Sequence, residues 1–432
     1  MQLQAPVCNR YLLLGVYYVV LSTGFACVMS PDPIIQIVYS SRALPSFTGE
    51  ERAFECRSLV SYALSSAVIS GAFSGYVMEY CLGAKMAALV GYILSISGWM
   101  MLTNGQTSFV VAVGAISMGI AYQLLYCAHL KIGQLFPNSP GKVVTILCSA
   151  GDVSTGVPVL MQSIIRRFIL TGSDSHAVTG VVVGGYMVTL TLAAVVDMFC
   201  VPWQAFQTTN SRNPIVKPLL LSKEKEETTS FVTQATSSEF ILFTTVFTFL
   251  FWRAKKFLAV NIRPIFASIV PAENVNFAAT LFNTASVAAS VGTLLMGWLV
   301  DRFSLEVGLN VSVAQGTLLF AFALLPSAIS VYCICLLYIP VSGFLFGLGS
   351  AFVGCRYGFE NIGVLQGILS SVAGLAAMVS DVVLPHVEAF FDFDYRPLTL
   401  GTFILSVALL GVTLSIWHVP LLGATAPVTS VV

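Results

Sequence analysis

The stretch FWRAKKFLAV, Phe251 to Val260, sets Arg253, Lys255 and Lys256 inside an otherwise apolar run. An ionisable group at the centre of a membrane helix costs about 2.5 to 3.5 kcal/mol on insertion scales, so it needs a partner, a watery cavity or an interface. If the helix spans 240–262, Arg253 lies about 20 Å from its start, well inside a bilayer. Arg253 and Lys256 then share a face, with Phe257 and Val260 beside them, while Lys255 points elsewhere. A guanidinium on a central cavity can hold a carboxylate by paired hydrogen bonds, which makes Arg253 the first candidate for a substrate ligand. Lys256 and Phe257 accompany it. The alternative is a helix that starts near Phe231 and ends at Trp252. All three cations would then lie at the membrane interface, their stems snorkelling past Trp252.

A second candidate is AGDVSTG, where Asp152, Ser154, Thr155 and Gly156 interrupt another apolar run. Asp152 and Thr155 fall on one helix face. A carboxylate there can bind an amino group, pair with a cation from elsewhere in the chain, or take up a proton. It can equally belong to a packing network in which neighbouring hydroxyls satisfy it. Tyr122, Gln123 and Tyr126 would line a cavity, or be core. Asp197, near the end of its run, reads as interfacial. No HExxH, GxSxG or P-loop occurs, and the four histidines are scattered, so nothing points to an enzyme. The cysteine spacings match no metal site, and no cofactor is implied.

These residues need a membrane to position them. Of 432 residues, 56% are hydrophobic and only 9% charged, against roughly a quarter charged in soluble domains. Twenty basic and twenty acidic residues cancel, so no pull toward nucleic acid follows. A bilayer core needs about twenty apolar residues per helix. Twelve such runs are expected, at 11–30, 57–78, 84–103, 107–129, 143–165, 178–201, 240–262, 277–299, 308–328, 331–352, 362–384 and 397–420. The polar segment 204–239 reads as a cytoplasmic linker between two six-helix halves, 1–203 and 240–432. The glycine pairs Gly71/Gly75, Gly180/Gly184 and Gly343/Gly347 read as close helix contacts. Placing both termini in the cytoplasm leaves ten Lys and Arg on that side, seven outside and three in the seventh helix, which fits the positive-inside rule in sign. The expected partners are the lipid bilayer, most simply a plasma membrane, and a small solute; a monomer is expected.

The halves echo one another. GYVMEYCLGAK follows the second run and GWLVDRF the eighth, each with a glycine four residues before an acid. GWLVDRF, with Gly297, Asp301 and Arg302, matches the opening of the G-x-x-x-D-R-x-G-R-R loop of the major facilitator superfamily, which the chain resembles. The first copy, with Gly75 and Glu79, is looser: Tyr80 stands where the arginine belongs. The resemblance implies a conformational latch in these loops, with Asp301 weightier than Glu79. A finer likeness, carried by LFPNSPGKVVTILCSAGDVSTG and by the cationic seventh run with Asn261, is to the sodium-independent large-neutral-amino-acid facilitators and apicomplexan amino-acid transporters. It implies a carrier of amino acids working by alternating access and facilitated diffusion. A carrier of an organic anion or sugar, or a membrane receptor without transport, stays open.

Overall fold

A computed structural model describes residues 10–23, 27–136, 140–200, 231–358, 361–392 and 394–416, and among these no strand occurs. The termini and residues 204–230 of the expected linker lie outside the described residues. The N-terminal part holds α1 (Arg10–Ser22), α2 (Pro31–Ser40), α3 (Gly49–Ile69), α4 (Gly71–Tyr76), α5 (Gly83–Asn104), α6 (Ser108–Leu130), α7 (Pro140–Ser154), α8 (Gly156–Leu170) and α9 (Ser175–Cys200). The C-terminal part holds α10 (Phe231–Ala235), α11 (Ser238–Phe251), α12 (Ile262–Ala267), α13 (Ala272–Arg302), α14 (Leu305–Ala323), α15 (Ala328–Tyr357), α16 (Ile362–Phe390) and α17 (Tyr395–Ile416).

Nine helical stretches among the described residues are long and apolar enough to cross a membrane. Large side chains on their outer surfaces, such as Val181, Ile329 and Leu336, are exposed; lipid can cover them, while the helical backbone satisfies its own polar groups. The chain is thus an all-helical, multi-pass membrane protein. The expected run 143–165 is interrupted at Thr155, between α7 and α8, and the run 308–328 outlasts α14, which ends at Ala323. The runs 11–30, 57–78 and 240–262 break too, each with a local cause. The first breaks after Ser22 and restarts at Pro31, whose fixed φ suits a first turn. The second breaks at Ser70, where α16 intervenes: Ser371 Oγ donates to the Ile69 carbonyl at 2.6 Å and accepts from Ala72 N at 2.9 Å. The third rewinds into a π-helical turn, Trp252–Leu258, between α11 and α12.

Residues 231–239, expected in the linker, are instead folded onto the C-terminal helices. Ser237 Oγ lies 2.8 Å from Tyr357 Oη, and Glu239 pairs with Arg356 at 3.1 Å. Another π-helical turn, Val77–Leu82, joins α4 to α5. It ends at Gly83, whose φ of 74° few other residues tolerate.

Two sets of contacts join the halves: α7 packs on α13 and α15, and α3 and α4 pack on α16. At the α4–α16 crossing the backbones touch, since a methyl group on Gly71 would sit 2.7 Å from the Gly367 carbonyl oxygen. Gly75 meets Gly363 in the same way, and Gly343 of α15 abuts α13. Gly180 and Gly184, expected to pair as well, have nothing within reach.

Candidate substrate site

Where α7 meets α13 and α15, Asp152 is buried at 4% exposure. Thr293 Oγ1 of α13 donates to its Oδ2 at 2.5 Å and also lies 3.0 Å from the Gly343 carbonyl of α15. Ser342, the neighbouring residue, accepts from Lys255 Nζ at 2.6 Å. Lys255 comes from the π-helical turn, lies against the Tyr338 ring, and attracts Asp152 electrostatically. A carboxylate of the N-terminal half and an ammonium of the C-terminal half are therefore joined through one short polar bridge. Tyr122 stacks on Tyr126 at 6.0 Å along α6, and Tyr126 hydrogen-bonds Ser350 of α15 and Cys148 of α7. The carboxamide oxygens of Gln123 on α6 and Gln366 on α16 are buried without a hydrogen-bond partner. Buried acceptors of this kind cost free energy until a donor arrives.

Arg253 does not join this group. It is 1% exposed, yet it points into its own half. Nη1 donates to Ser406 Oγ of α17 at 3.0 Å, and Nη2 to the Ser312 carbonyl of α14 at 3.0 Å. Gly316 leaves room for the guanidinium, because a methyl there would overlap it. Arg253, expected on a central cavity, is thus turned into its own half, and Lys255 is the cation that joins the polar bridge. Two cations two residues apart on a helix project to opposite sides, and packing of α14 and α17 against one side selects which enters the polar bridge. Lys256 is buried in the same turn. Phe257 stacks with Trp252 and Phe320 in an apolar cluster, and Asn261 donates to the Phe257 carbonyl at 3.0 Å, both away from Asp152. Ser154 and Thr155 donate to the carbonyls of Gly151 and Asp152, where α7 gives way to α8.

The two segments expected to form a latch are unequal. Glu79 accepts from Lys131 Nζ at 2.6 Å and from Gly363 N at 3.3 Å. Gly363 is the second residue of α16, so the carboxylate satisfies one of the free N–H groups at that helix end and complements its dipole. Lys131, from the 3₁₀ turn after α6, supplies the cation that the sequence lacks at Tyr80. In the second copy Asp301 lies 3.8 Å from Lys142 of α7, Gly297 packs on Thr145, and Arg302 is exposed at the end of α13. Side-chain exposures of 8% and 11% for Lys131 and Glu79, against 55% and 24% for Lys142 and Asp301, make the looser motif the better-buried pair.

A network absent from the sequence reading lies inside the N-terminal half. Asp197, 2% exposed rather than interfacial, accepts from Tyr92 Oη of α5 at 2.9 Å and faces His129 Nε2 of α6 at 2.9 Å. Their separation along the chain, 68 positions for His129 and Asp197, hid the pairing.

No protein-family model matches the chain. It is 27% identical over 183 residues to "Amino acid transporter 6-1" of Toxoplasma gondii, covering 37% of this chain and 32% of that protein. It is 22% identical over 342 residues to "Aromatic and large neutral amino acid transporter 5-3" of Toxoplasma gondii, covering 77% and 66%. The chain therefore spans about a third of the first relative's length and about two thirds of the second's. Among solved structures, the proton:xylose symporter XylE of the major facilitator superfamily, bound to 6-bromo-6-deoxy-D-glucose, superposes with a TM-score of 0.65 at 15% identity, over 94% of this chain and 96% of that one. The chain has the fold of the major facilitator transporters, and its sequence resembles apicomplexan amino-acid transporters.

Proposed function

We propose that this protein is a carrier of amino acids that works by alternating access, with Asp152 and Lys255 receiving the two charges of the solute. The observation that supports the reading is the buried bridge Asp152–Thr293–Gly343/Ser342–Lys255 between the halves. A zwitterion offers an ammonium to Asp152 and a carboxylate to Lys255, so each buried charge exchanges one partner for another and none is stranded. A sugar offers hydroxyls only and leaves both charges to one another. The amino-acid names of the distant relatives support the same reading, whereas the sugar-transporting neighbour is similar in fold alone. Glu79 and Asp301 act as the latch that biases the equilibrium between states. The linker side faces the cytoplasm, the protein works as a monomer, and the plasma membrane is its site.

The test is uptake into proteoliposomes holding the purified full chain, with labelled leucine, phenylalanine, arginine, glutamate and glucose. Amino-acid uptake that Asp152→Asn and Lys255→Gln each weaken through KM is the expected result. Uptake of glucose alone, or of no solute in the panel, refutes the assignment.

A further inference from the structure

We propose that a cavity at the end of the N-terminal half opposite the linker binds an organic phosphate, at a site that shares no residue with the bridge around Asp152. The cavity measures about 520 Å³, within the range of about 300 to 1,000 Å³ that small-molecule sites occupy. Tyr39 of α2, Arg42, Phe47 and Thr48 of the α2–α3 connection, Arg52 of α3 and His176 of α9 line it. α9 starts here and its other end, Cys200, leads toward the linker, which fixes the side of the molecule. All of these elements belong to the N-terminal half.

The walls are tied to one another. Leu44 N donates to the Gly105 carbonyl at 2.9 Å, joining the α2–α3 connection to the loop before α6. Ser175 Oγ and Thr179 Oγ1 of α9 donate to the Ser40 carbonyl at 2.9 and 3.3 Å. Arg52 is fixed among these segments: Nη2 donates to the carbonyls of Ser41 and Ala43, each at 2.7 Å, and the guanidinium lies 5.4 Å from the centre of the Tyr39 ring. Those partners are neutral, so the charge of Arg52 is uncompensated, and its buried Nε has no hydrogen-bond partner. Arg42 is exposed. Among the described residues neither arginine has a carboxylate within ion-pair distance. Glu51 and Glu55 of α3 and Asp174 before α9 do not line the cavity, and Asp174 accepts from His176 N and Ala177 N. Thr48 precedes α3 with its hydroxyl capping no N–H, so the positive end of this 21-residue helix adds to the field.

Two guanidinium groups bordering one cavity without a counter-ion repel each other, and an oxyanion between them relieves this through charge-assisted hydrogen bonds. Arg52 is already ordered, which removes part of the entropic cost of binding. Two positive charges match a phosphate monoester, which carries about −1.5 to −2 at neutral pH, better than the single charge of a carboxylate. Tyr39 and Phe47 receive its apolar substituent. With no carboxylate in the lining, an amino group finds no counter-charge, so the site selects a plain anion over a zwitterion. The phosphate can come dissolved in water or as the headgroup of a lipid in the adjoining leaflet.

Melting of the purified full chain tests the site without reference to transport, so its fate is separate from that of the carrier reading. In detergent, phenyl phosphate should raise the melting temperature saturably and at lower concentration than inorganic phosphate, whereas benzyl alcohol or sodium chloride at equal ionic strength should not. Arg42→Gln loses no ion pair within the protein and should weaken the apparent affinity for phenyl phosphate about tenfold or more, as expected for a lost hydrogen bond to a charged group. Arg263→Gln removes an exposed arginine that does not line the cavity and should leave that affinity unchanged. In phosphatidylcholine nanodiscs, added phosphatidic acid identifies the source. Stabilisation that Arg42→Gln abolishes, with phenyl phosphate displaced, assigns the site to a lipid headgroup, and undiminished phenyl phosphate binding assigns it to a dissolved phosphate. No saturable shift of the wild-type chain with either probe overturns the site, whatever the variants do. So does inorganic phosphate as potent as phenyl phosphate, or an affinity that Arg42→Gln and Arg263→Gln change equally or not at all.

Discussion

Replacing Glu79 with glutamine keeps the size of the side chain and removes its charge, which isolates what the first latch contributes. Glu79 makes two contacts of different kinds. Its pair with Lys131 joins segments of the same half, so under alternating access it should persist as the halves rock. Its bond to Gly363 N crosses to α16, and exists only while the halves are closed at this end. A carboxylate on a partly buried helix N-terminus is worth about 1 to 2 kcal/mol, and one or two kcal/mol is a factor of about 5 to 30 in an equilibrium. Asp301 is the comparison. Its partner Lys142 is 55% exposed at 3.8 Å, and an exposed pair of this kind contributes about 0 to 1 kcal/mol after solvent screening. Val364, 3% exposed beside Gly75, offers a reporter as Val364→Cys, in a background from which the exposed Cys81 and Cys355 have been removed. Labelling by a membrane-impermeant maleimide should speed up about 5- to 30-fold with Glu79→Gln, and clearly less with Asp301→Asn. Equal acceleration by the two variants, or none with Glu79→Gln in a folded protein, refutes the argument and restores the ranking expected from the motif.

Arg253→Met removes a buried cation that has only neutral hydrogen-bond partners, so melting in detergent should be unchanged or higher and KM unaffected; a raised KM at unchanged stability would make Arg253 a substrate ligand after all. Gly75→Ala drives a methyl into the Gly363 carbonyl and should shift the carrier away from the state closed at α4–α16, seen as faster Val364→Cys labelling. Gly184→Ala meets nothing and should instead stabilise by about 0.4 to 1 kcal/mol; a loss of stability there would reveal a contact. Asp197→Leu strands the donors of His129 and Tyr92 and should cost about 1 to 3 kcal/mol for each in a melting experiment, with maleimide labelling unchanged if the network stays within its half.

Apolar length is a local property, because each stretch of about twenty residues must span the bilayer for itself. The membrane class and nine of the crossings were therefore legible run by run. The special positions were legible too: Asp152, the three cations, Glu79 and Asp301 all stood out as charges in or beside oily sequence. What they do was not, because partners of a buried charge come from other helices. The 103 positions between Asp152 and Lys255 carry no trace of their attraction. Helical phase alone leaves Arg253 and Lys255 as equal candidates on opposite faces. Gly316, Ser312 and Ser406 hold the guanidinium within its own half, and Ser342 receives the ammonium at the interface. Motif matching likewise ranked Asp301 above Glu79, whereas burial and Lys131, from the 3₁₀ turn after α6, give Glu79 the better-buried partner. Sequence determined where charge enters the membrane, since that follows from residue type and local hydropathy. Only the tertiary structure decided which charges meet, since that depends on how separate helices pack.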